Sequence, residues 1–181
     1  SGGAYSLDTF REGVMSITLH KGEYCGFTEN VIVSPPPKQT SKSRQTIFFE
    51  NPPRISGRMA VVGEKEGKGP VGAYFDKIVK DAKWGEKTFE RAEIDMLMCA
   101  LKGSISDADL SETDVQLLIT GDLLNQLTSS SYVARELSMP HLGLYSACST
   151  MSESLAIGAA FINAGYFDTV ACATVSHFAT A

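Results

Sequence analysis

The sequence predicts an α/β fold, built as a mainly parallel sheet with helices on both faces. Three observations predict it. From residue 45 onward, short apolar runs alternate with segments of helical period, the pattern of strands joined by crossover helices. Residues 115–120 and 169–174 are apolar almost throughout, as strands covered on both faces are. Between them, residues 142–165 read as a strand, a sharp turn carrying Cys148, and an apolar helix.

Composition bounds the class. A chain of 181 residues, 43% hydrophobic, is sized for one globular domain. Its net charge of −5 leaves no basic face for nucleic acid. No run approaches the roughly 18 apolar residues of a membrane span, and nothing resembles a signal peptide. The 4 cysteines form no C-x-x-C pair and have no histidine at ligand spacing. No zinc site and no cofactor are therefore expected, and free thiols in a reducing compartment are the simpler reading. Ser1-Gly-Gly in place of a methionine reads as a cut end or a fragment edge.

In chain order, residues 17–19 and 31–33 are candidate short strands, with His20 and Cys25 given no role. Residues 34–44 hold three prolines and then polar and basic residues, the composition of an extended linker. A boundary is placed there, leaving 1–44 unassigned and 45–181 as the folded unit. Residues 47–49 and 58–63 read as strands, separated by a turn at the 52–53 prolines. Residues 64–70 lack phosphate-loop spacing, and 74–81 read as a weak helix or a surface excursion.

Residues 89–101 are the first strong helix. Phe89, Ala92, Met96, Cys99 and Ala100 share a face, with Glu90, Arg91 and Asp95 outside and Gly103 as the stop. The acidic stretch 106–114 is a solvated connector, because it lacks the spacing of a calcium loop. Strand 115–120 runs into Gly121-Asp122-Leu-Leu-Asn125-Gln126, at the end where open α/β sheets place ligand groups. A helix follows at 130–137, and Pro140 turns the chain into the strand before Cys148. Strand 169–174, with Cys172 as packing, ends at Ser176-His177.

The stretch around Cys148 organises the rest. Thr150 and Glu153 have capping-box spacing and set a helix over 151–164, stopped by Gly165. That helix is apolar nearly all round and rich in alanine and glycine, so it is expected to be buried. A thiol at its N-terminus sits among unpaired N–H groups that favour a thiolate, an anion or an oxyanion. The alternative is a small buried hydrophobe in a tight turn. A serine-hydrolase elbow fits less well, since Gly143-Leu-Tyr-Ser146-Ala lacks the second glycine.

Strand, Ala147-Cys148-Ser-Thr, Ala/Gly helix, Asn163-Ala-Gly165 and strand together resemble the nucleophile region of thiolase-like proteins. Within that superfamily the chain is more similar to the stage V sporulation protein AD family, a non-condensing branch. The residues that carry this are Ile47-Phe-Phe-Glu-Asn-Pro-Pro, Trp84-Gly-Glu-Lys-Thr-Phe-Glu-Arg-Ala-Glu, Gly121-Asp-Leu-Leu-Asn-Gln, Tyr145-Ser-Ala-Cys-Ser-Thr and Val175-Ser-His-Phe-Ala-Thr. They span residues 45–181. The resemblance implies the first of two similar halves, with the second half supplying the groups that face the cysteine.

What it implies for function is a spore-formation protein, peripheral to the inner membrane of the developing spore. It would bind dipicolinic acid, alone or together with calcium, and assist its uptake into the forespore alongside other stage V sporulation membrane proteins. The implied ligand-binding residues are Asp122, Asn125, Gln126, Cys148, Ser149 and His177. A dianion would set one carboxylate at the helix behind Cys148 and the other on Asn125 or Gln126, with Asp122 opposing it unless a proton or a cation intervenes. The alternative function is an acyl-thioester enzyme of thiolase or ketoacyl synthase type, an acyltransferase with Cys148 as nucleophile. His141 is read as structural or exposed. The apolar helix behind Cys148 predicts a homo-oligomer.

Overall fold

The computed structural model describes residues 12–20, 47, 49, 52–123 and 126–177, and in 12–20 the side chains of Ser16, Thr18 and Leu19. The expected strand 31–33, the proline tract, Cys25 and Asn125 lie outside the described residues, as does the side chain of His20. The elements are strands β1 (Glu12–His20), β2 (Arg54–Gly63), β3 (Lys77–Val79), β4 (Leu117–Asp122), β5 (His141–Gly143) and β6 (Thr169–His177), and helices α1 (Glu64–Gly67), α2 (Phe89–Asp107), α3 (Thr128–Glu136) and α4 (Thr150–Asn163).

The strands form one sheet in the order β3-β2-β1-β6-β4-β5. β1 runs antiparallel to both of its neighbours, while all the other pairings are parallel. The mainly parallel α/β sheet predicted from the sequence is therefore what forms, with one reversed strand at its centre. That strand corrects the boundary at 44/45. β1 pairs along its whole length with β6 and also with β2, so residues 12–20 belong to the same sheet as the rest. The Ser16 and Ser104 hydroxyls, 2.7 Å apart and buried, tie it to α2 as well.

Period-2 alternation in the strands divides the core into two layers. Ala171, Ala173 and Val175 of β6 and Leu118 of β4 face α2 and α3, where they meet Leu97, Leu101, Ile105 and Val133. Val170 and Cys172 of β6, with Leu117 and Ile119 of β4, face Ile162 of α4 and Leu19 of β1. Helices thus cover both faces, as expected.

Several local expectations are corrected. Ile47 and Phe49 lie in no strand, and Ile47 is exposed. β2 starts at Arg54, four residues before the expected strand. Residues 77–79 are an edge strand on β2, not a helix. Gly103 does not stop α2, which is capped by Thr88 at its start and continues to Asp107. The glycine serves packing instead, since a Cβ there would lie 1.7 Å from Met59 Sδ. Helix α2 also buries Glu93, which periodicity alone does not single out.

Helix α4 has the predicted bounds within one residue but not the predicted cap. Thr150 Oγ1 donates to the Ala147 carbonyl at 2.8 Å, and the Glu153 carboxylate accepts from Ser146 Oγ. At the other end Gly165, at φ +78°, closes the helix. Its N–H donates to Ile162 O at 3.0 Å and that of Tyr166 to Phe161 O at 3.1 Å, a Schellman pair. The expectation of burial all round is also corrected. Thr150, Ser154, Gly158 and Ile162 form one buried stripe on the sheet, while Ala156 and Ala160 on the outer side are exposed.

Candidate functional site

The C-terminal ends of the parallel strands β4, β5 and β6 lie together, and the loops that leave β4 and β5 build a cavity there. Its volume is about 320 Å³, and its lining is Asp122, Leu123, Gln126, Tyr145, Ser146 and Ala147. The strand order explains its place, since neighbouring chain segments diverge where they leave a sheet. A larger hollow, about 470 Å³, lies at the opposite end, where α2 finishes and the chain approaches β4. Its walls include the Lys102–Glu112 ion pair at 3.2 Å and none of the residues picked out by sequence.

Asp122 ends β4 and is buried, yet its carboxylate is committed to α3. It accepts the amides of Ser129 and Ser130, each at 2.8 Å, and the Ser130 hydroxyl. Those amides are orphan donors of a helix first turn, and α3 has no cap from its own Ncap residue, Leu127. Asp122 thus replaces a local cap from across the loop. The same bonds explain why α3 begins at Thr128, earlier than expected. The loop between is bent through two consecutive non-glycine residues in left-handed backbone, Gln126 at φ 51° and Leu127 at φ 72°. Gln126 is exposed on the cavity wall, and Asn125 lies outside the described residues.

On the facing wall the turn after β5 presents Tyr145, Ser146 and Ala147. Ala147 is again left-handed, at φ 46°. Such a backbone costs of order 1 kcal/mol or more, and it turns the chain sharply into α4. Gly121 permits the two walls to meet, because a Cβ on it would stand 2.2 Å from Leu144 O. Cys148, next in the chain after Ala147, is a free thiol and exposed. Ser149 is exposed as well, with its hydroxyl turned back to Ser146 O at 2.8 Å. The first turn of α4 already holds a carboxylate of its own, that of Glu153, against Ser146.

His177 is elsewhere. It falls on the α2 face of β6, fully buried, with Nε2 2.7 Å from Ala82 O and its ring 5.1 Å from that of Phe89. Its amide donates to Glu93 Oε2 at 3.0 Å. The expectation that it lines the pocket is corrected, since strand alternation turns its side chain away from α4 and Cys148. The structure thus brings Asp122 and Gln126 to one cavity with Cys148 and Ser149 close behind its rim. It leaves His177 as a clamp between β6 and α2.

Sequence reading missed Tyr145 and Ser146 as lining residues. The available signal was an aromatic residue close before the cysteine, and in the structure Tyr145 is 71% exposed. His141, read from sequence as structural or exposed, opens β5. Its ring is half-buried, and Nε2 is buried with no partner among the described residues. Burial lowers its pKa, against opposing contributions from a hydrogen bond with the Thr120 backbone and from the Asp122 charge. Among the described residues no group of three or more His, Cys, Asp or Glu side chains is placed to hold a metal ion. No helix there is long and apolar enough to cross a membrane.

Comparison with known proteins bears on this geometry. The family model for stage V sporulation protein AD matches residues 43–181. The stage V sporulation protein AD of Bacillus subtilis (strain 168) is 37% identical over 138 residues, covering 76% of this chain. The chain spans 41% of that relative's length. Among solved structures, 3-oxoacyl-[acyl-carrier-protein] synthase III from Aquifex aeolicus VF5 is similar at 21% identity and a TM-score of 0.39, over 50% of this chain and 38% of the other.

Proposed function

Because the chain belongs to the stage V sporulation protein AD family, we propose that it is a binding protein of spore formation whose ligand is dipicolinic acid. In this reading it assists uptake of that acid into the forespore, peripheral to the inner membrane and beside other stage V membrane proteins. The observation that carries the reading is the cavity between Gln126 and Tyr145. Its size suits a small planar molecule, and the exposed Gln126 and Tyr145 on its walls carry an amide and a hydroxyl that can donate. Asp122 lends shape there, with three accepted hydrogen bonds committing its carboxylate to α3. Its charge is offset by the N-terminus of α3, which moderates its repulsion of a dianion. An anion at the α4 N-terminus would meet Glu153, so we place the ligand carboxylates toward Gln126 and Tyr145 instead.

Titration calorimetry with dipicolinate tests this. Binding is expected, and the double variant Tyr145→Ala/Gln126→Leu should abolish it. Binding that is unchanged in the double variant would move the ligand to another part of the molecule.

The exposed Cys148 thiol favours a second reading, that of an acyl-thioester enzyme. A cysteine nucleophile of this kind needs a base within reach. The His177 ring lies on the opposite face of the sheet, so it does not serve as one. Acyl-coenzyme A exposure followed by mass spectrometry separates the readings. Stoichiometric acylation that is lost in Cys148→Ser would establish the enzyme.

A further inference from the structure

Glu153 stands behind the cavity and controls a residue on its wall. Ser146 lines the cavity, and its hydroxyl donates to the Glu153 carboxylate. We infer that Glu153 is a positioning residue that sets ligand specificity. By holding the Ser146 proton it makes this wall a hydrogen-bond acceptor, so the cavity selects a monoanion that carries one carboxylate and one hydrogen-bond donor. The inference rests on the binding reading above and names the form of ligand that the same site takes.

The polar groups of the lining explain the choice. A serine hydroxyl has a single proton, and its bond to a charged oxygen is about twice as strong as one to a neutral acceptor. The Ser146–Glu153 bond is also partly buried, and it joins the turn after β5 to the first turn of α4. The proton therefore stays with Glu153, and the Ser146 oxygen offers a ligand its lone pairs. The turn is pinned at its backbone too. The Ser146 carbonyl accepts the Ser149 hydroxyl at 2.8 Å and the Ser149 amide at 3.0 Å. Beside it, the Asp122 carboxylate is likewise an acceptor, and the Leu123 amide is committed to Val175 O at 3.0 Å. Among the described lining residues none is a lysine, arginine or histidine.

Two unlike walls result. Gln126 and Tyr145 carry groups that can donate, and one ligand carboxylate belongs there. The side formed by Ser146 and Asp122 accepts. A second ionised carboxylate placed against it would set acceptor against acceptor, because an ionised carboxyl has no proton to give. A hydroxyl or N–H in the same place completes a hydrogen bond instead. For dipicolinic acid the matching species is the one that keeps a single carboxyl proton. The wall thus discriminates through the penalty on the wrong ligand as much as through the bond to the right one.

Calorimetry on the full chain tests this with three probes: dipicolinate, its monoamide and its monomethyl ester. At about pH 7.5 the free carboxyl groups of all three are ionised. Amide and ester then share charge and approximate shape, but the amide alone donates a hydrogen bond. The wild type should bind the amide about tenfold more tightly than the ester, a modest ratio because Gln126 and Tyr145 are exposed to water. Glu153→Gln, whose neutral side chain holds the Ser146 proton less strongly, should bring the two within about twofold. Ser146→Ala removes the acceptor while leaving α4 unaltered, and it should erase the preference as well. Thermal melts check that both variants fold. A ratio that persists in either folded variant would overturn the inference, since a merely structural Glu153 would weaken both probes together. Equal affinity of the wild type for amide and ester would also overturn it, as would binding of dipicolinate with neither derivative bound. Each of those results leaves the binding reading standing, whereas failure of all three probes to bind would overturn both.

Discussion

The Ser129 amide donates to Asp122 Oδ2 at 2.8 Å, so the residue that ends strand β4 is the cap of helix α3. With the Ser130 amide on the other carboxylate oxygen, the bond fixes where α3 sits over the sheet and how wide the cavity opens. It also sets the first expected outcome. Asp122→Ala should destabilise the protein by about 1–3 kcal/mol, because two amides lose their acceptor. Asp122→Asn, which keeps an acceptor oxygen, should cost less. Urea midpoints at neutral pH decide, and an alanine variant as stable as wild type would show the cap to be dispensable.

The acid limb of stability should carry the signature of His141. Its folded pKa is lowered by burial, so the unfolded chain binds this proton more readily. The stabilising contribution is therefore complete above the ordinary histidine value of about 6.5 and is lost as pH falls through it toward the folded value. Denaturation midpoints measured between pH 5 and 8 should slope downward toward acid, and His141→Gln should flatten that slope. A variant curve parallel to wild type would assign the slope to other groups.

Thiol reactivity should separate the cysteines. Cys172 is fully buried, donates to Ser154 O at 3.3 Å, and has its pKa pushed up to about 12 by burial. Cys148 is exposed. In the native protein at pH 8, maleimide should label Cys148 readily and leave Cys172 untouched until denaturant is added. Peptide mapping after a short pulse checks this, and early labelling of Cys172 would show that α4 opens from the sheet.

Close backbone approach predicts unequal glycine substitutions. Gly121→Ala puts a methyl 2.2 Å from the Leu144 carbonyl, where only backbone movement can relieve it. Gly158→Ala meets Cys172 Sγ at 3.1 Å and Leu19 Cδ1 at 3.2 Å, contacts that side chains can ease. The first should cost about 1–3 kcal/mol or more and disturb the Cys148 turn, and the second less. Thermal melts of the two variants give the order, and equal melting points would contradict it.

The outer side of α4 should make the chain self-associate. Ala156 and Ala160 are exposed there, flanked by the half-buried Leu155, Ala159 and Phe161. An apolar face of this kind is an association site or an aggregation liability. Light scattering at micromolar concentration should report more than a monomer, and Ala160→Glu should reduce the association by placing a charge on that face. A monomeric wild type would show that the face is covered within the chain.

The sequence by itself determined the α/β class, the strand–cysteine turn–helix around Cys148, and the two buried strands β4 and β6. These features rest on local period and on glycine at a helix end, which chain chemistry sets without help from distant residues. The family was legible for a related reason, since Gly121-Asp-Leu-Leu-Asn-Gln and Tyr145-Ser-Ala-Cys-Ser-Thr are contiguous motifs. Tertiary structure alone decided the rest. It placed β1 at the centre of the sheet, because strand pairing joins residues more than a hundred positions apart, as with Ile17 and Cys172. It kept Gly103 inside α2 because Met59 comes down on it. It set His177 against Phe89 and Glu93 rather than Cys148, because a side chain's face depends on register, and a one-residue shift reverses it. Asp122 shows the division most directly. Its position at a strand end was readable, but its role waited on where α3 would put its unpaired amides.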